Sequence, residues 1–143
     1  MNKACYRKLR RYKYQLTEPY VLKIGISRYT VTTPYLKLET DGVLTINKGY
    51  AWDGPSGPTF DTLNFMRGSL VHDALYQLIR LETLPYVYKR YADLLLQKHC
   101  LEDGMSKFRA GYVYLAVRFF GGAAAKPGSD TTDVITCVPV NER

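Results

Sequence analysis

The stretch from Tyr50 to Tyr76, YAWDGPSGPTFDTLNFMRGSLVHDALY, divides the chain's hydrophobic pattern in two. Its first half, Asp53-Gly54-Pro55-Ser56-Gly57-Pro58, is too rich in glycine and proline for a regular helix or strand. Before it the apolar residues alternate with polar ones; after it, from about Thr62, they recur at helical spacing. A chain that changes period once, at a rigid loop, is restricted to strands first and helices after. That order predicts an α+β domain.

Upstream of the loop, Tyr12, Tyr14 and Leu16 alternate with polar neighbours, Tyr20 to Ile26 resumes after Pro19, and Tyr29 to Thr33 is rich in β-branched and aromatic residues. Asp41-Gly42 between Tyr35–Leu38 and Val43–Ile46 is a hairpin signal, because glycine accepts the positive φ of a tight turn. About four short antiparallel strands are expected. Downstream, Val71, Ala74, Leu75 and Leu78 share one helical face, and Leu84-Pro85 should end that helix. A second helix over about Tyr86 to Glu102 stops at Asp103-Gly104. A third begins at Ser106, a plausible N-cap, and runs to Gly121-Gly122. With these about three packed helices, the expected organisation is a basic arm over 1–14, one α+β domain over 15–125 and a linker or tail over 126–143.

Charge and cysteine content narrow the context. The first fourteen residues hold Lys3, Arg7, Lys8, Arg10, Arg11 and Lys13 without an acid, in a chain of net charge +7. Such an arm attracts phosphates, on an anionic membrane surface or on nucleic acid, though it carries no known nucleic-acid motif and that partner ranks below the others. Cys5, Cys100 and Cys137 are widely spaced and odd in number, which argues for a reducing compartment. No signal peptide or spanning segment is expected: Gly111 to Ala125 is interrupted by Arg118 and shorter than the roughly 20 residues a transmembrane helix needs.

Chemistry-bearing residues concentrate at the loop and the helix that follows it. On a wheel advancing about 100° per residue, His72 lies at the edge of the apolar face, with Tyr76 beside it at i+4. Asp73 diverges from both, so the carboxylate that orients His72 must come from elsewhere. Asp93, mid-helix beside three leucines on the next helix, is the candidate, since a short connection through Pro85 allows antiparallel packing. A neutral histidine oriented by a carboxylate is a workable general base. Asp53 or Asp73, with carbonyls of the glycine-rich loop, could bind a hard cation such as Ca²⁺. Trp52, Gly54, Ser56 and Gly57 would then form a ligand-binding wall.

These residues carry two resemblances. The loop Asp53-Gly54-Pro55-Ser56-Gly57-Pro58, the run His72-Asp73-Ala74-Leu75-Tyr76 and the pair Ala92-Asp93 resemble the motifs D-G-x-S-x-P, H-D-x-L-Y and A-D of an uncharacterised domain family common in tailed phages and prophages. The likeness covers roughly residues 40–122 and implies a phage origin, in the host cytoplasm or the virion. Locally, H-D-x-x-Y after a Gly/Pro loop, with an aspartate on the next helix, resembles the core of phospholipase A2. That resemblance implies His72 as the base, Asp73 as a calcium ligand, and Tyr76 and Asp93 as the groups holding the histidine. The competing expectation is a phage structural or assembly protein, or a host-interaction protein, in which the motif only maintains the fold and the thirteen tyrosines serve subunit contacts.

Overall fold

The structure, a computed structural model, describes residues 6–8, 14–52 and 62–127. Asp53, Gly54, Ser56 and Gly57, and the tail from residue 128, lie outside the described residues. The described residues fall in two compact units, strands through Trp52 in one and helices from Thr62 in the other.

Among the described residues of the first unit, every strand pairing is antiparallel. Strands β1 (Tyr6–Lys8), β2 (Tyr14–Leu16) and β7 (Ala51–Trp52) form a three-stranded sheet in the order β1-β2-β7. Strands β3 (Tyr20–Lys23), β4 (Val31–Thr32), β5 (Leu36–Leu38) and β6 (Val43–Ile46) form a second sheet in the order β3-β6-β5-β4. The described residues thus form seven short strands, where four or so are expected from the sequence. The basic arm is not wholly an arm: β1 pairs with β2, Tyr6 opposite Leu16 and Lys8 opposite Tyr14. Alternation sets the faces, so Leu36, Leu38, Leu44 and Ile46 are fully buried while Lys37 between them is exposed.

The Asp-Gly hairpin stands where the sequence places it, joining β5 to β6. Gly42 has φ +91°, and a Cβ there would meet the Ile24 carbonyl oxygen at 2.6 Å. Asp41 accepts from the Val43 N–H at 3.1 Å and fixes the turn. Gly42→Ala meets both backbone strain and a clash with main chain that cannot rotate away. It should lose more than about 1 kcal/mol of stability in urea unfolding; an unchanged midpoint would show the turn to be adaptable.

The described residues of the second unit form three α-helices, α1 (Leu63–Arg80), α2 (Lys89–Glu102) and α3 (Lys107–Phe120), with one-turn 3-10 helices over Tyr86–Tyr88, leading into α2, and over Ala123–Ala125. Buried Phe65, Leu96, Cys100, Met105, Ala110 and Val113 form a continuous apolar cluster among the three helices. Arg67 of α1 fastens the end of α2 with two parallel bonds to Asp103, both 3.0 Å, and a third to Glu102 at 2.8 Å. A guanidinium at a helix C-terminus also complements the helix dipole.

Helix ends follow local chemistry. Ser106 caps α3 by accepting from the Arg109 N–H at 3.2 Å. Past α2, Gly104 at φ +99° donates to the Leu101 carbonyl and Met105 to the Cys100 carbonyl, closing a Schellman motif. Helix α1 stops at Arg80, short of Leu84-Pro85, because the same motif forms there. Glu82, at φ +61°, donates to the Ile79 carbonyl, and Thr83 donates to that of Leu78. Among the described residues no helix is long and apolar enough to cross a membrane.

Candidate functional site

In the helical unit, the sequence places four polar side chains against one another in an apolar setting. Asp93 of α2 is wholly enclosed (0% exposed), and His72 (6%), Tyr76 and Lys89 are buried around it. His72 Nε2 lies 2.8 Å from Asp93 Oδ1, and Tyr76 donates to that same oxygen at 2.6 Å. Lys89 donates to the other oxygen, Oδ2, at 2.9 Å. Positions i and i+4 bring His72 and Tyr76 onto one face of α1, ring centroids 4.0 Å apart. The same spacing puts Lys89 and Asp93 on one face of α2.

Lys89 is the member that the sequence reading missed. It opens α2, where a cation opposes the helix dipole. Its ammonium has three protons and three acceptors: Asp93, the Val117 carbonyl at 3.0 Å and the Arg118 carbonyl at 3.2 Å. It therefore neutralises Asp93 and caps the end of α3 together. The available signal was a lysine four residues before an acid at a helix start, a pattern common enough on surfaces to pass unnoticed. Gly121 completes the packing, because a Cβ at that position would stand 2.6 Å from the Tyr76 hydroxyl.

These contacts determine the protonation pattern. Burial alone would push the Asp93 carboxyl up, but donors from His72, Tyr76 and Lys89 outweigh it and hold the carboxyl below its usual range. An ionised Asp93 accepts from each partner, so the His72 proton sits on Nε2. In neutral His72 the lone pair is then on Nδ1. Burial is the largest influence on His72 and acts to lower its pKa; Asp73 and Asp93 together outweigh it and raise it above 6.5. Burial, with the Asp93 bond adding to it, likewise raises the Tyr76 phenol far above its ordinary value, so it remains a donor.

Asp73 stands apart from that network. Its Oδ1 is 3.8 Å from His72 Nδ1, beyond hydrogen-bond length, and its side chain is 35% exposed. The structure thus brings His72, Tyr76 and Asp93 into one network and sets Asp73 at the other nitrogen of the imidazole. Trp52 belongs to the strand unit, where it is buried and its ring lies 5.6 Å from Tyr14 and 6.5 Å from Tyr50. Asp53, Gly54, Ser56 and Gly57 fall outside the described residues. Among the described residues no group of three or more His, Cys, Asp and Glu side chains is placed to hold a metal ion.

The other histidine behaves differently. His99 is buried in α2, and its Nδ1 has no hydrogen-bond partner among the described residues. Burial, aided by the nearby Arg67 cation, lowers its pKa to about 4. The unfolded chain takes up a proton near pH 6.5, whereas the folded chain resists until about pH 4. Stability from this group is therefore full above the unfolded value and is lost as pH falls. Between pH 7 and pH 5 the loss should be on the order of 2 kcal/mol. His72, with its raised pKa, contributes in the opposite sense, so the check is a difference: His99→Gln should show a smaller fall in thermal midpoint than the parent. Parallel curves would assign the acid sensitivity to other groups.

Comparison with protein-family models, with curated proteins and with solved structures gives no match.

Proposed function

We propose that this chain is a phage-encoded hydrolase of ester or amide bonds, similar in its core to phospholipase A2, with His72 as general base. The observation that supports it most is the allocation of His72's two nitrogens. Nε2 is committed to Asp93, which Tyr76 and Lys89 also hold, and Nδ1 faces the partly exposed Asp73. In this reading Nδ1 takes a proton from water, and the hydroxide oxygen bonds to the acyl carbon. As the tetrahedral intermediate collapses, the bond to the leaving oxygen or nitrogen breaks and that atom receives the proton from Nδ1. Asp93 and Tyr76 keep the imidazole in the required tautomer and orientation throughout.

The carboxylate at Asp73 is a hard oxygen donor with solvent access, the kind of ligand Ca²⁺ takes. When bound, the cation would supply electrostatic stabilisation of developing negative charge on the acyl oxygen. The test is fatty-acid release from phospholipid vesicles with Ca²⁺, parent against His72→Gln. Equal release from both would sink the assignment.

A second reading has its own support. The network fastens α1, α2 and the end of α3 together, and Asp93 is fully enclosed, as a purely structural cluster would be. The chain would then be a virion or assembly component, or a host-interaction protein, whose partners are other phage proteins. Full retention of phage assembly by a folded His72→Gln variant, with no hydrolysis by the parent, would favour it.

A further inference from the structure

Helix α3 leaves an apolar face uncovered. Phe108 (88%), Phe119 (73%) and Phe120 (85%) are largely exposed, and Tyr112 and Leu115 are about half exposed. Phe108, Tyr112, Leu115 and Phe119 occur at i, i+4, i+7 and i+11, which confines them to an arc of about 60°. Isolated exposed apolar residues are ordinary on protein surfaces, whereas a continuous stripe marks a contact.

Charge identifies what the contact is with. Helix α3 contains no aspartate or glutamate, and two of its three cations, Lys107 and Arg118, border the stripe along one side, while Arg109 on the other donates to the Thr62 hydroxyl at 2.9 Å and lies over the Phe65 ring. A second copy of the helix laid on this face would oppose cations to cations with no acid on either helix to answer them, in a chain whose net charge is +7. An anionic phospholipid surface meets both requirements. Aromatic and leucine side chains enter the boundary between headgroups and acyl chains, and flanking bases reach the phosphates.

The stripe also ends at the buried network. Phe119 and Phe120 directly follow Val117 and Arg118, whose carbonyls Lys89 binds while it holds Asp93. We propose that the outer face of α3 docks the helical unit onto an anionic phospholipid surface, lying in the plane of the interface. Docking stands on the exposed stripe and its charges; that the same membrane carries the substrate rests on the hydrolase reading.

The test is cosedimentation of the full chain with vesicles of phosphatidylcholine alone or mixed with phosphatidylglycerol. The comparison is a variant carrying Phe108→Ser, Phe119→Ser and Phe120→Ser, solvent-exposed changes whose folding is checked by circular dichroism. The parent should partition onto the mixed vesicles, and the variant should do so at least ten-fold less well. Leu115→Trp gives a second readout, a blue shift of its emission on adding mixed vesicles. Unaltered partition of the variant would overturn the docking face and assign binding to the basic N-terminal residues. Equal partition onto phosphatidylcholine alone would overturn the selection for anionic lipid. A parent dimer that the variant converts to monomer would give the face to a second copy instead. His72→Gln separates the two readings: docking predicts that it binds vesicles as the parent does, whatever becomes of hydrolysis. Failure of the hydrolase reading appears as a parent that binds but releases no fatty acid. Failure of docking appears as a triple variant that binds and hydrolyses like the parent.

Discussion

Asp93→Ala is expected to lose about 3–5 kcal/mol of stability, the largest effect of any single change considered for this chain. The substitution removes a side chain that answers three donors at once. The Lys89 ammonium would remain buried with only the Val117 and Arg118 carbonyls for company, and carbonyl dipoles do not neutralise a charge. The His72 and Tyr76 donors would be orphaned in the same step. Against a total stability of about 5–15 kcal/mol for an ordinary domain, such a loss should show as poor expression and an early urea midpoint. Lys89→Met should be milder, because the remaining carboxylate can still be answered by a protonated His72 at 2.8 Å. Combining Asp93→Leu with Lys89→Met removes both charges together and should recover much of the loss, as replacing a buried pair with apolar side chains commonly does. If Asp93→Ala unfolds at the parent's midpoint, the network is not a determinant of stability.

The division between strands and helices was legible because hydrophobic period is a local property, and it changes once, at the Gly/Pro loop. Positions that need a special residue were legible too. Gly42, Gly104 and Ser106 each announce a conformation or a cap in their own chemistry. Less visible was the end of α1, where Glu82 occupies a left-handed position that glycine usually fills, so Pro85 drew attention to a boundary four residues too late. Strands β1 and β7 were missed for a different reason. They are short, and what makes them strands is the partner β2 supplies across the sheet, a long-range contact that no window of sequence contains. In the candidate site, wheel geometry separates Asp73 from His72 and leaves Asp93 on the next helix as the carboxylate that can orient the imidazole. Lys89 escaped because its meaning depends on the carbonyls at the end of α3, twenty-eight and twenty-nine residues away.

On the proposed hydrolase reading, Asp93→Asn should lower hydrolysis as severely as His72→Gln does, on the order of 10²–10⁴-fold per folded molecule, with some loss of stability because the buried Lys89 charge is no longer neutralised. The reason lies with Lys89. An ammonium can only donate, so the amide oxygen of an asparagine at this position must face Lys89, where Oδ2 now sits. The amide NH₂ would then face His72 Nε2 and would donate to it. That reverses the present bond: the Nε2 lone pair becomes the acceptor, the proton moves to Nδ1, and the nitrogen assigned as base can no longer take a proton from water. Adding Lys89→Met to Asp93→Asn frees the amide to turn its oxygen toward His72, so the double variant should be more active than Asp93→Asn alone, although it lacks one more native group. Nitrogen chemical shifts of His72 would report the tautomer directly in each protein. A double variant no more active than Asp93→Asn, with His72 in the same tautomer in both, would remove Lys89 from any role in orienting the histidine.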